Sequence, residues 1–143
     1  MQRHPQILSV HLFLLKGDKI LLQLRKNTGY RDGCWSVIAG HVEARESASK
    51  AMIREAMEEA GIEIRREDIS LVHVMHRFEN QERVDFFFKC TNWRGEPKIM
   101  EPNKAGALEW FEITSLPSNT VPYVRQAIEM MIKGQIYSEY GWS

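Results

Sequence analysis

Three carboxylates crowd into the run Arg54-Glu55-Ala56-Met57-Glu58-Glu59. On a helix at about 100° per residue, Glu59 lies about 40° to one side of Glu55 and Glu58 about 60° to the other, so one sector holds all three. The flanking residues dictate that helix. Ser47 to Ala60 has no Gly or Pro and is rich in Ala, Met, Glu, Arg and Lys, all good helix formers. Ser47 suits the N-cap, and Gly61 can end the helix with positive φ. Met52, Ile53, Ala56, Met57 and Ala60 span about +60° to +200° from Glu55. The helix is therefore expected to bury that face and to present the acids on the opposite one.

Such crowding needs a reason. Repulsion at i,i+4 costs roughly a few tenths of a kcal/mol, and acids near a helix C-terminus oppose the macrodipole. A hard divalent cation resolves both conflicts. Mg²⁺ takes a few carboxylate oxygens and keeps positions for water and substrate phosphate, and Mn²⁺ can substitute. The plain alternative is a solvated acidic face laced by Lys50 and Arg54. Arg54 lies about 40° from Glu58 and can pair with it across the turn.

The surrounding pattern decides between them. Gly40, five residues, Glu46, seven residues, then Arg54-Glu55-Ala56-x-Glu58-Glu59-x-Gly61-Ile62 resembles the signature of the Nudix hydrolase superfamily. All seven fixed positions and both aliphatic positions of that signature, residues 40–62, agree. Many Nudix proteins have Pro-Gly-Gly or Pro-Ala-Gly shortly after a Trp. Here Trp35 leads to Ile38-Ala39-Gly40, without the proline. The resemblance runs the length of the chain. It implies one Nudix domain over 1–143, an α/β fold in which a curved mixed sheet lies between helices.

It also implies a MutT-like pyrophosphohydrolase using Mg²⁺. The expected substrate is a nucleoside diphosphate linked to another group, first a nucleoside triphosphate, oxidised or non-standard forms included. ADP-ribose or a nucleotide sugar is the second expectation. A catalytically silent nucleotide sensor is the third, and the intact acidic set argues against it. On this resemblance Glu55, Glu58 and Glu59 hold the metal with the Gly40 carbonyl, and Arg54 with Glu46 orients the glutamates. Glu55 is the first choice of general base. Glu101, on a later loop, is the outside candidate as ligand or base. Arg25, Trp35, Arg77, Phe87 and Trp110 are candidates for holding the nucleotide, because aromatic and basic groups suit one.

The elements that must position these residues follow from periodicity. Ile7–Leu15 and Ile20–Arg25 read as strands joined by Lys16-Gly17-Asp18-Lys19. Ile20, Leu22 and Leu24 share one face; Leu21, Gln23 and Arg25 share the other. Lys26–Cys34 is a loop, and Trp35–Gly40 reads as one short strand. Ile69–Phe78 and Arg83–Thr91 form a hairpin around Glu79–Glu82. In its second strand Val84, Phe86, Phe88 and Cys90 read as core, while Phe87 falls on the mixed face. His73 and His76, three apart, point to opposite faces and cannot share one metal. Ala107–Ile113 is another strand. Thr120–Lys133 is a second helix with an apolar stripe of Val121, Val124, Ile128, Met131 and Ile132. The aromatic tail from Gln135 either docks or frays.

Composition bounds the partners. With 19 Lys and Arg against 19 Asp and Glu, the net charge is zero. No basic excess suggests duplex nucleic acid. Cys34 and Cys90 make no disulfide framework or zinc motif. The N-terminal apolar run is short for a membrane span or a signal peptide. A cytoplasmic protein, monomer or homodimer, is the expectation.

Overall fold

The computed structural model covers residues 1–143. β1 (Ile7–Lys16) is its axis. A turn at Gly17, with φ of 60°, returns the chain as β2 (Lys19–Arg25). β3 (Trp35–Ser36) and β4 (Ile38–His41) follow. Then come α1 (Ala48–Ala60), a 3₁₀ turn at Arg66–Asp68, and the long hairpin of β5 (Ile69–Glu79) and β6 (Gln81–Cys90). β7 (Ala105–Glu112), α2 (Pro122–Ile132) and β8 (Tyr137–Tyr140) complete the chain. The strands run in the order β3-β2-β1-β6-β5-β8, with β4 also on β1 and β7 also on β2. This is the expected curved mixed sheet between helices.

The sheet forks. β1 meets β2 only at Leu15–Ile20 and Lys16–Lys19. Its earlier residues, Ser9 to Leu12, pair with β4 instead. β3 pairs with β2 at Gln23 and Leu24. The stretch read as one strand, Trp35–Gly40, is therefore two, crossing between the branches of the fork at Val37. The crossing also changes layers: Val37 packs with α2, and Ile38 packs with α1.

β1 shows why there are two cores. Val10, Leu12 and Leu14 point to the α1 side, while Phe13 joins the α2 side. Period-two alternation on a strand covered on both faces demands apolar residues at both parities. The α2-side parity also carries Ser9 and His11, both buried. His11 Nε2 lies 3.0 Å from Asp85 Oδ1, and Arg77 donates to both Asp85 oxygens at 2.7 and 3.2 Å. Phe87 stacks on His11 with ring centroids 4.5 Å apart.

Two expectations about packing change, and the open one about the tail is decided. Ile132 is exposed, and Tyr123 and Ala127 are buried on α2 in its place. The β5–β6 turn tightens to Asn80, with positive φ, and Glu79 pairs with Gln81. The tail docks: β8 runs parallel to β5, and the Trp142 indole N–H donates to the His76 carbonyl at 2.9 Å. His73 holds the same tail through Gln135 O and Ser138 Oγ, at 2.8 and 2.7 Å. No helix is long and apolar enough to cross a membrane.

The buried Asp85–Arg77 pair makes a stability prediction. Burial raises the Asp85 carboxyl, but the hydrogen bonds and charges of His11 and Arg77 outweigh it and lower it to about 2 from an ordinary 3.8. The folded state thus holds this proton more weakly than the unfolded chain. Its stabilisation is complete above about pH 4 and is lost as pH falls towards 2. Arg77→Met should cost about 3–5 kcal/mol in urea unfolding at pH 7, because it leaves Asp85 buried without its main partner. A loss under 1 kcal/mol would contradict this reading of the pair.

Candidate active site

α1 begins as its sequence demands: Ser47 Oγ accepts the Lys50 amide at 3.2 Å. It ends at Gly61, φ 66°, whose amide reaches the Ala56 and Met57 carbonyls. Its orientation differs from the expectation. The buried residues are Ala51, Met52, Glu55, Ala56 and Ala60. Glu55 retains only 9% of its surface, whereas Met57 retains 47%. The buried arc is centred nearer Glu55 than the apolar residues alone suggest. Glu55 and Glu59 therefore turn inward against β4, and Glu58 alone of the three faces solvent.

β4 admits them through Gly40. A Cβ at this position would overlap the Glu55 carboxyl group. Glu59 Oε1 accepts from Gln23 Nε2 at 3.1 Å and from the Ala39 amide at 3.4 Å. Burial, and hydrogen bonding and repulsion from Glu55, push the Glu59 carboxyl up to about 8. The pair thus retains a proton near neutrality. That chemistry fits a cation site: hard oxygen donors, mutually repelling, held where a positive charge would replace the proton. In this arrangement no three acidic, cysteine or histidine side chains converge tightly enough to enclose an ion.

Arg54 ties the remaining acids together. Nε and Nη2 form a fork on Glu46 at 2.7 and 2.9 Å. Nη1 donates to Glu55 at 2.8 Å and to Glu58 at 3.2 Å. Nη2 also reaches the His41 carbonyl at 3.1 Å, which fixes the helix to β4. The Arg54 fork and the Glu43 amide hold Glu46 down to about 2. Glu101 reaches the site through backbone bonds: the Lys98 and Met100 amides donate to the Ala60 and Glu59 carbonyls at 3.0 and 3.3 Å. The loop thereby caps α1, with Glu101 beside Glu59 in one cavity.

Two cavities meet over Ala39, Gly40 and His41. One, of about 420 Å³, is lined by Gln23, Asn27, Thr28, Glu59, Glu101 and Lys104. The other, of about 390 Å³, is lined by His11, Tyr30, Arg77, Glu79, Arg83 and Tyr123, among others. Arg25 lines both.

The nucleotide-binding candidates divide accordingly. Arg25 lies at the junction. Arg77 lines the second cavity, but its donors are taken by Asp85 and Glu79. Phe87 is fully buried, so its ring is core and offers no platform for a base. Trp35 packs edge-on against Phe111, and Trp110 stacks near Trp93 under the Lys16 ammonium. Neither indole lines either cavity. The cleft residues that the sequence did not single out are Tyr30, Glu79, Arg83 and Tyr123, with Gln23 and Lys104. Gln23 was findable, since strand alternation puts it beside Arg25. Tyr30 was not, because its loop has no period.

The fold and this helix-borne acidic site define a Nudix-type α/β protein. A family model described as NUDIX domain matches residues 5–131, and the chain belongs to the Nudix hydrolase family. The crystal structure of a MutT NUDIX hydrolase from Burkholderia pseudomallei superposes with a TM-score of 0.81 at 28% identity, covering 88% of this chain and 98% of that one. The NAD-capped RNA hydrolase NudC of Shigella dysenteriae is 37% identical over 83% of this chain and 44% of its own length. NudC of Pseudomonas entomophila is 26% identical over 82% of this chain and 41% of its own length. The chain therefore spans less than half the length of these two relatives.

Two substitutions probe the geometry. Gly40→Ala should displace Glu55 and lower hydrolytic turnover at least tenfold; unchanged kcat would show the contact to be idle. Glu59→Gln should stabilise the metal-free protein at neutral pH. The folded state binds the Glu59 proton more tightly than the unfolded chain, so stability falls as pH rises from about 4.5 towards 8. The variant should lose that slope in thermal melts with chelator, and a persisting slope would assign it elsewhere.

Proposed function

We propose that this chain hydrolyses a nucleoside diphosphate linkage with Mg²⁺, Mn²⁺ able to substitute. The leading substrate is a nucleoside triphosphate, non-standard or oxidised forms included, cleaved to monophosphate and pyrophosphate. The observation that carries this reading is the two-armed cleft meeting at Gly40. One arm holds Glu59 and Glu101, and the other is rich in arginine and tyrosine. A substrate lying across Gly40 would have its anhydride beside the acids and its nucleoside in the second arm.

Glu55, Glu58 and Glu59, the Gly40 carbonyl and Glu101 would hold the ions. When bound, divalent ions neutralise phosphate charge and lower the pKa of a coordinated water. The side chains do the rest. Arg54 keeps Glu55 and Glu58 in register with Glu46, and an arriving ion would draw the acids together. Glu55 accepts the water proton as the water oxygen bonds to phosphorus, and the P–O bond of the α–β anhydride breaks, leaving monophosphate and pyrophosphate. Glu101 is the alternative base, since it enters from another loop. Arg25 and Lys104 stand where phosphate oxygens would lie.

A second reading has its own support. The relatives named NAD-capped RNA hydrolase favour a dinucleotide diphosphate as substrate. A panel of nucleoside triphosphates, ADP-ribose, nucleotide sugars and NAD with Mg²⁺ separates the readings. Monophosphate plus pyrophosphate supports the first, and two mononucleotides from NAD support the second. Binding without turnover of any member would mark a nucleotide sensor instead. Glu59→Gln should lower kcat on the preferred substrate by about two orders of magnitude, and native turnover would remove Glu59 from the metal set.

A further inference from the structure

The arginine-bearing arm of the cleft is unevenly neutralised. Its one lining carboxylate, Glu79, is fully engaged. It accepts from Arg77 at 2.7 Å and from the Tyr30 hydroxyl at 2.7 Å, and it lies 3.7 Å from Arg31. Asp85 behind it is held by Arg77 and His11. Two lining guanidiniums have no carboxylate at ion-pair distance. Arg25 spends its Nε on the Tyr30 carbonyl and one Nη on the Thr28 hydroxyl, at 2.7 and 3.0 Å. Arg83 spends only its Nε, on the Glu79 carbonyl at 3.1 Å. That bond holds the base of the guanidinium in place and leaves both terminal nitrogens free.

Their positions differ. Arg25 lines both cavities and so stands at the junction, where the scissile diphosphate would cross. Arg83 lines only the arm away from Glu59 and Glu101, next to Asn80 at the tip of the β5–β6 hairpin. A single diphosphate at Gly40 accounts for Arg25 and leaves Arg83 without a counter-charge. A guanidinium with two open donors in a concave site is suited to bidentate phosphate recognition.

We propose that Arg83, with Asn80, binds a second phosphate carried by the substrate on its nucleoside side, outside the bond that is cleaved. The preferred substrate class is then a diphosphate-linked nucleotide whose ribose bears a further 2′- or 3′-phosphate, as monoester or as diester. This rests on the diphosphate hydrolysis proposed above. It assigns Arg83 to specificity and leaves the chemistry to the acids.

Calorimetric titration of the full chain tests it. The ligands are 5′-monophosphates of the four common ribonucleosides, their 2′,5′- and 3′,5′-bisphosphates, and 5′-phosphorylated dinucleotides. In the native protein at least one doubly phosphorylated ligand should bind about tenfold tighter than its monophosphate. In Arg83→Gln that ratio should fall to within about twofold, while Arg83→Lys should keep part of it. Because the ratio is taken within one variant, losses in folded fraction cancel. A gain for bisphosphates alone identifies a monoester substrate, and a gain for the dinucleotide identifies a nucleotide chain. Equal binding across each set, a ratio that survives Arg83→Gln, or no binding of any ligand would overturn the proposal. Turnover in the substrate panel together with equal binding across the titrated sets would sink this inference and leave the hydrolase reading standing; absent turnover would sink that reading.

Discussion

The contact between the Gly40 backbone and the Glu55 carboxyl is the constraint on which the site depends. A helix normally turns its carboxylates to water, because burying a charge without a partner costs several kcal/mol. Here α1 lies close enough to β4 for Glu55 to occupy the volume a side chain at position 40 would fill. Arg54 makes the burial tolerable. It engages Glu55, Glu58, Glu46 and the His41 carbonyl at once, so one cation serves three acids and one strand. Glu59 lies beyond its reach and remains the acid that keeps its proton up to about pH 8. The site thus crowds acids that hold a proton near neutrality, the place where the proposed cation would sit.

The forked sheet determines what those acids can act upon. β1 parts from β2 after two pairings, and the segment Trp35–His41 spans the gap. The cleft opens over this crossing. Acids from α1 and the 101–104 loop reach it from one side. Arginines and tyrosines from β2, β5, β6, α2 and the 27–33 loop reach it from the other. The carboxylates of one arm and the arginines of the other make the two sides of Gly40 electrostatically unlike. Beneath the second arm, the His11–Asp85–Arg77 cluster pairs its charges internally, so the floor is polar without excess charge.

Most of the elements were legible from periodicity and punctuation. Ser47 and Gly61 bound α1 through local hydrogen bonds that depend only on neighbouring residues. The β1–β2 turn and the β5–β6 hairpin were legible for the same reason. The division of Trp35–Gly40 was not, since a strand that changes partners keeps its alternation. The inward turn of Glu55 and Glu59 was hidden because an apolar-face argument assumes that acids face water. Position 40 had to be seen beside position 55 before the exception made sense.

The amino-acid sequence by itself determined the proposed reacting set. Gly40, Glu46, Arg54, Glu55, Glu58 and Glu59 lie within 20 residues of each other, and helical geometry fixes most of their relations. Only the tertiary structure decided the rest of the cleft. Arg25, Tyr30, Arg77, Arg83 and Tyr123 come from separate elements and converge only through strand register and the fork. The same packing removed Phe87 to the core and Trp35 and Trp110 from the cleft. Local spacing sets the acidic cluster because a helix is a local object. Substrate recognition belongs to long-range packing, and residue types alone do not encode which side chains a folded sheet will bring together.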